Sequence, residues 1–534
     1  MSNLTVEQQL AVEKKDTNII VSAGAGSGKT TVLKKRVERI LLSGVNINDL
    51  IILTFTNNAA SEMKERIRKI ITDNPNLIEQ AELLDSAYIT TFDSFAQSLV
   101  KKYNYLLNID KNFSIVDDSI INLEIEKIID EIFEELYGNN NADFIKMIND
   151  LEVKDDKRIR DAVKLFYKGL TNIINRESFL ENYIDNFYSD DYIEKSFNLF
   201  EDIIFKLRDS LLLYLEDLKE ETLKDDILNI LNSICESLES ASNFDDLYSL
   251  KNICLPAARK GYFTEEGKEI KKKADAIKKE INEYLVEDKN TLIQHYKDTL
   301  PYAKALINIL KKLDKQLNKL KKEHNIFQFF DIAFLAIELV KNHEEVRNEI
   351  KYKTYEIMID EYQDTNDIQE EFISYIQNNN VYTVGDIKQS IYRFRNANPY
   401  IFKKRYDNYS KNINGFKIDL NKNFRSRKEV IDDINLIFNE IMFDYIGGAD
   451  YQKSHQMIYG NTEYLKHTNN ESYKTEIIEY DNDGEKYKEN ETEAFIIADD
   501  ILNRLSLNES VTYFDKDEMK SRNIDYKDFC ILVD

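Results

Sequence analysis

Two short stretches carry residue types that can handle a chain of phosphates. The first is Ala23-Gly24-Ala25-Gly26-Ser27-Gly28-Lys29-Thr30. Its glycines let successive backbone N–H groups curl around phosphate oxygens. Lys29 would reach the β- and γ-phosphates, and the Thr30 hydroxyl would hold Mg²⁺. The first position of such a loop is usually glycine; Ala23 is a small replacement. The second stretch is Asp360-Glu361, at the end of the apolar run Tyr355-Glu356-Ile357-Met358-Ile359. Asp360 would hold the Mg²⁺, directly or through water. Glu361 would polarise an attacking water as general base. Alone, the two acids read as surface carboxylates. With the loop they complete a nucleoside triphosphatase site, provided the fold closes the long interval between positions 29 and 360.

Other residues fit around that chemistry less specifically. Gln8 could read adenine, since an amide donates and accepts at once, although a surface glutamine is the ordinary reading. Phe55 and Phe92 follow apolar runs at the places where α/β sheets put ligands, and the residues alone favour two core phenylalanines. Gln389, in Val384-Gly385-Asp386-Ile387-Lys388-Gln389-Ser390-Ile391-Tyr392-Arg393-Phe394-Arg395, could reach a γ-phosphate. In the same run Tyr392, Phe394 and the arginines mix aromatic faces with positive charge, as a single-strand stacking platform does. Arg425 could stabilise charge on a transferring phosphate. For each of these a plain surface-loop role is the alternative.

Several elements must position these groups. Ile19-Ile20-Val21 reads as a buried strand ahead of the loop. Leu33, Val37 and Ile40 fall on one face of the helix that follows. Thr5 can cap a short helix before the strand, and Thr56 or Asn57 another after the strand Leu50–Leu53. Tyr88–Ala96 repeats strand, turn and helix. Such alternation predicts a parallel sheet with helices on both faces. From about 117 to 351 glycine and proline become rare and helical periodicity takes over. One run there, Leu306, Leu310, Leu313, Leu317 and Leu320, is flanked by lysines at 311, 312, 315, 319, 321 and 322. It reads as a solvated helix face or a basic arm along a phosphate backbone. Sheet-like runs resume at Tyr355, Val381 and Phe416. Beyond Ser426 the pattern predicts a helix, a strand at 475–480, a helix at 493–505 and a strand at 529–533.

Composition sets outer bounds. At 534 residues several domains are expected. A hydrophobic share of 42% suits a folded chain rather than a disordered one. No apolar run is long enough to cross a bilayer, and Met-Ser-Asn-Leu-Thr lacks a signal-peptide core, so a cytoplasmic location is expected. Cys235, Cys254 and Cys530 lack metal or disulfide-frame spacing. A net charge of −25 counts against general nucleic-acid binding, although a local groove can still be basic.

Taken together and in this order, these blocks resemble superfamily 1 DNA helicases of the UvrD/Rep type. The wording Val384–Arg395, with Lys388 and Phe394, is most similar to the AddA (RexA) branch of helicase–nuclease subunits. The resemblance implies an α/β fold. A RecA-like P-loop sheet (1–116 and 352–414) would carry a helical insertion (117–351) and the start of a second RecA-like lobe (415–534). It implies ATP and Mg²⁺ as cofactors and 3′–5′ movement along DNA in recombinational repair. It also implies an AddB-like partner, or a second chain with the missing motifs. By the same resemblance Gln8 reads adenine and Phe424 stacks on it. Residues 23–30 bind phosphate, and Gln389 senses the γ-phosphate. Arg425 is a finger from the second lobe, and Phe55, Thr91, Tyr392, Phe394 and Arg395 meet DNA. Asp93 stands where relatives carry histidine. Later motifs are missing, as in a piece of a longer chain or a split-gene product. Two other readings fit the residues: a nucleotide-dependent DNA-binding subunit without motor activity, and a small-molecule P-loop kinase.

Overall fold

The computed structural model describes residues 4–152, 155–462, 464, 475–480, 488–507, 509–515 and 518–532. Eight strands matter here. They are β1 (Ile19–Ala23), β2 (Leu50–Thr54), β3 (Tyr88–Thr91), β4 (Ser114–Ile115), β5 (Ile326–Phe327), β6 (Glu356–Ile359), β7 (Val381–Gly385) and β8 (Phe416–Leu420). Six of them form one parallel sheet in the order β3-β2-β6-β7-β1-β8. Every residue of β1, β2, β6 and β7 is buried. That is the mark of a parallel sheet covered on both faces.

Because side chains alternate along a strand, the sheet divides its residues between two cores. Ile19, Val21, Leu50, Ile52, Met358 and Tyr382 meet the helices Lys29–Leu42 and Asn57–Asp73. Ile20, Ile51, Leu53, Ile357 and Ile359 meet Phe92–Lys102, Phe329–Asn342, Asp367–Ile376 and Pro399–Ser410. The doubly wound sheet predicted from the sequence is therefore present. The predicted caps form as well: Thr5 and Thr56 each accept a backbone N–H from the first turn of their helices.

Two predicted boundaries move. The insertion is expected to run from 117 to 351, but its ends are joined at 114–116 and 325–327, so its far end comes much earlier. β4 pairs in parallel with β5, with Ser114 N–H donating to Asn325 O and Val116 N–H to Phe327 O, both at 2.9 Å. The helices Phe329–Asn342 and Glu344–Lys353 belong to the sheet, burying Ile332, Leu335, Leu339, Val346 and Ile350 in its core. Helical period does not reveal which core a helix serves. At the other boundary, β8 pairs with β1 at all five positions, Ile19 opposite Phe416 through Ala23 opposite Leu420. The strand predicted to open a second lobe instead extends the first sheet. The first compact unit is Met1–Arg425 with Phe438–Gly460, and the second is Ser426–Ile437 with Asn461–Asp534.

The insertion holds two cores of its own. One joins Ile125, Ile128 and Ile132 of Asp118–Gly138 to Leu310, Leu313 and Leu317 of Leu300–His324. The other joins Leu211 and Leu215 of Asp190–Glu220 to Leu231 and Ile281. The leucine run thus packs inward. Of its lysines, Lys311, Lys315, Lys319 and Lys322 are exposed, while two others turn to acids on neighbouring elements. Lys312 meets Glu135 at 2.6 Å, and Lys321 is buried against Asp331 at 2.7 Å.

In the second unit a helix spans Glu489–Ser506, as predicted. An antiparallel hairpin, Ser510–Asp515 with Glu518–Asn523, was not foreseen. Residues 475–480 and 529–532 form no strand; Val533 lies outside the described residues. A short apolar run becomes a strand only where a partner completes its ladder. Among the described residues no helix is long and apolar enough to cross a membrane.

Candidate active site at the sheet edge

The loop after β1 is shaped to hold phosphate. Gly26 and Gly28 have φ of +68° and +88°, a left-handed backbone that costs glycine least. There is also no room for larger residues. A Cβ at Gly26 would lie 2.7 Å from Arg425 Cβ and 2.8 Å from Asn423 Oδ1. At Gly28 it would lie 3.0 Å from Gln8 Nε2. Ser27 folds inward, its hydroxyl donating to Gly24 O at 2.7 Å. Lys29 and Thr30 open the helix, so the loop ends on a helix N-terminus, where anions are favoured. Ala23 is fully buried as the last residue of β1. Its side chain packs in the sheet core rather than lining the loop.

Asp360 and Glu361 leave the neighbouring part of the sheet at the end of β6. Despite the sequence interval, Lys29 Nζ lies 3.1 Å from Glu361 Oε2. Glu361 adopts φ of +49°, unusual for a residue with a side chain. A closed ring of contacts passes through this pair. Gln363 Nε2 donates to Glu361 Oε2 at 2.9 Å, while Gln363 Oε1 accepts the Asp386 N–H at 2.9 Å. Asp386 Oδ2 accepts from Gln389 Nε2 at 2.8 Å, and Gln389 Oε1 lies 3.5 Å from Lys29 Nζ. Asp386 also holds Lys388 Nζ at 2.7 Å. Gln363 and Asp386, 2% and 1% exposed, were not singled out from the sequence. The only signal was an amide and an acid at strand ends beside the recognised residues.

Burial dominates the electrostatics of the nearby acids. It pushes the Asp360 carboxyl up to about 6, with the Glu361 charge adding to it and the Glu361 N–H and Lys29 opposing. Asp364 is pushed up to about 6 in the same way, by burial first and Glu361 second. Its Oδ1 is buried without a hydrogen-bond partner among the described residues.

A smaller recess lies on the other side of the loop, lined by Thr5, Gln8, Ser27, Lys422 and Phe424. Gln8 donates to Ser27 O at 2.9 Å and accepts from Thr5 N–H at 3.0 Å. One amide hydrogen and one oxygen lone pair remain by valence for a base edge. Phe424 N–H donates to Gly26 O at 2.9 Å, which ties residues 423–425 to the loop. Arg425 was expected on a second lobe; it lies in the first compact unit, on the chain continuing from β8.

Four of the proposed DNA residues form one cluster. Phe55 and Tyr392 have ring centroids 4.7 Å apart, and Tyr392 and Phe394 5.7 Å. The Arg395 guanidinium lies 5.6–5.9 Å from all three ring centres. Phe394 is 77% exposed. Phe92, by contrast, is a core residue, as the residues alone suggested. Thr91 caps its helix, accepting the Ser94 N–H at 3.3 Å. A cavity between the cluster and the acids is lined by Phe55, Thr91, Asp93, Asp360, Glu361, Asp364 and Arg395.

Behind the site a buried pair holds the elements together. Arg36 Nε donates to Glu356 Oε2 at 2.8 Å, and a second bond joins Nη2 to Oε1. Arg36 Nη1 donates to Ala11 O and Lys14 O at 2.9 and 2.7 Å. The guanidinium lies 4.1 Å from the Tyr382 ring centre. One side chain so links the helix bearing Gln8, the helix of the phosphate loop, β6 and β7.

The chain is similar to an ATP-dependent helicase/nuclease subunit of Clostridium acetobutylicum, 30% identical over all of this chain. It is similar to the protein of the same name from Clostridium beijerinckii, 31% identical over 99% of this chain. For the Streptococcus pneumoniae protein the figures are 32% and 92%. The chain spans about half the length of these curated relatives, 48%, 48% and 43% respectively. The UvrD/REP helicase N-terminal domain matches residues 4–410. Residues 4–410 contain the phosphate loop, the two acids, their ring of partners and the aromatic cluster, and the chain belongs to the UvrD/REP helicase family.

Proposed function

We propose that this chain is the motor portion of an ATP-dependent DNA helicase of DNA repair. The meeting of Lys29 with Glu361 beside a fitted glycine loop carries this reading. Residues 24–30 bind the phosphates, with Gln8 on the adenine edge and Phe424 against its face. Asp360 and Thr30 supply one carboxylate and one hydroxyl. That donor set suits Mg²⁺, which keeps phosphate and water oxygens in its other positions. The ion, when bound, neutralises phosphate charge.

The contact between Lys29 and Glu361 blocks catalysis until phosphate replaces the carboxylate on the ammonium. Glu361 is then released to take a proton from the water attacking the γ-phosphorus. The bond from that phosphorus to the bridging oxygen breaks, giving ADP and phosphate. Gln389 and Arg425 stabilise charge on the moving group. Bases stack on Phe55, Tyr392 and Phe394, with Arg395 and Thr91 toward the backbone. A local cationic and aromatic patch answers the net negative charge of the chain. The finer features are proposals drawn from the resemblance and the names of longer relatives. They are 3′–5′ movement, a role in recombinational repair, an AddB-like partner and a cytoplasmic location.

The test is ATP turnover with and without single-stranded DNA. Lys29→Ala is expected to abolish it. Glu361→Gln is expected to keep nucleotide binding while turnover falls about 10²–10⁴-fold. Unchanged hydrolysis in either variant overturns the assignment. Hydrolysis indifferent to DNA in the parent chain favours a small-molecule kinase instead. DNA-stimulated hydrolysis without strand displacement favours a DNA-binding role without motor activity.

A further inference from the structure

We propose that Gln363 is a positioning residue that transmits the state of the aromatic cluster to the general base. The inference rests on the helicase reading above. Gln363 is 2% exposed and touches both machines at once. Its Nε2 holds Glu361 Oε2 at 2.9 Å and Asp364 Oδ2 at 3.2 Å. Its Oε1 accepts the Asp386 N–H, and its backbone oxygen accepts the Ser390 hydroxyl at 3.2 Å. Asp386 and Ser390 bracket the turn that continues, two residues on, into Tyr392, Phe394 and Arg395.

The fit is close. A Cβ at Gly385 would lie 2.4 Å from Gln363 Oε1, so the turn approaches the amide as only glycine permits. A primary amide suits the place because one end must donate to a carboxylate while the other accepts from a backbone N–H. The Gln363 amide and Asp386 are interior groups, whereas Glu361 is partly exposed, so a displacement of the turn leaves a buried polar atom unsatisfied. The turn and the Glu361 carboxylate therefore move together or lose hydrogen bonds. Bases stacking on Tyr392 and Phe394 bear on the turn, and the amide hands that displacement to Glu361. By linkage, nucleotide bound at Lys29 must alter DNA affinity through the same amide.

The chain contains no tryptophan, which provides a clean probe. Phe394→Trp places one reporter in the exposed cluster. Its quenching by a single-stranded oligonucleotide gives a DNA Kd, measured with and without a non-hydrolysable ATP analogue. The analogue is expected to shift that Kd about fivefold or more in Phe394→Trp with no other change. In Gln363→Met, which keeps the shape and removes all three side-chain amide hydrogen bonds, the shift should fall below about twofold. Nucleotide affinity without DNA, and DNA affinity without nucleotide, should stay within about twofold of the parent. Ser390→Ala, which removes only the hydroxyl contact, should reduce the shift partially. It keeps the inference testable if the methionine variant does not fold. A full shift in Gln363→Met, or in Ser390→Ala where the methionine variant does not fold, overturns the inference and leaves the helicase reading standing. An oligonucleotide that fails to quench Phe394→Trp overturns the helicase reading, and this inference with it.

Discussion

The sheet edge and the helical insertion use charge in opposite ways. At the edge, opposite charges come from distant parts of the chain: Arg36 meets Glu356 where water is scarce, and Lys29 meets a partly exposed Glu361. Within the insertion, the pairs are mostly neighbours on one helix. Lys195 with Asp191 and Lys268 with Glu265 stand in solvent. Distant buried pairs fix which elements lie side by side, whereas helical neighbours decorate an element that already exists. One pair between separate elements is informative. Lys321 meets Asp331 where the helix Leu300–His324 returns to the sheet, and burial lowers the Lys321 pKa against the pull of that acid. The interior ion pair marks the seam between two cores.

The sharpest way to break this contrast is to remove a buried cation. Arg36→Met leaves Glu356 buried beside Tyr382 and frees three backbone oxygens at the end of the first helix. The expected loss of unfolding free energy is about 3–5 kcal/mol, read from urea denaturation. Replacing both partners, Arg36→Met with Glu356→Met, should recover part of that loss, because no uncompensated charge remains. A loss in the single variant no larger than that of an exposed pair would erase the distinction.

A smaller effect sharpens it through pH. Asp364 has its carboxyl pushed up to about 6 by burial and by Glu361, above the ordinary aspartate value of 3.8. The native state therefore holds its proton over a range where the unfolded chain has lost it. This contribution is fully present below the unfolded value and fades as pH rises through about 6. Asp364→Asn removes the titration while keeping an oxygen for the Gln363 amide. Its thermal midpoint should gain on the parent from about pH 5 to about pH 8. A constant gap between the two midpoints would show that Asp364 is not desolvated as described.

Legibility follows the same division. The loop at 23–30 and the acids at 360–361 announce themselves because their chemistry lies in adjacent residues. Strand order, β8 and the seam at 325 depend on which surfaces meet, and a one-dimensional pattern of apolar residues does not specify that. The helices after 327 look like insertion because their period is the same, yet their leucines serve the sheet. Arg425 reads as a second-lobe finger until β8 is seen to pair with β1. Gln363 was in plain view between two acids. Its importance appears only when Asp386, far along the chain, is brought to its oxygen.

The smallest effect tests the other side of the comparison. Lys195 and Asp191 lie 2.8 Å apart with side chains 72% and 75% exposed. Water solvates each nearly as well as its partner does, and holding two long side chains in one arrangement costs entropy. Salt screens what remains. Lys195→Ala should therefore leave the urea midpoint unchanged within error, in low and high salt alike. Alanine also favours the helix intrinsically, which offsets the lost contact. A clear destabilisation that salt relieves would mean that surface charge holds the insertion together. The leucine and isoleucine cores between its helices would then be insufficient to explain why it folds.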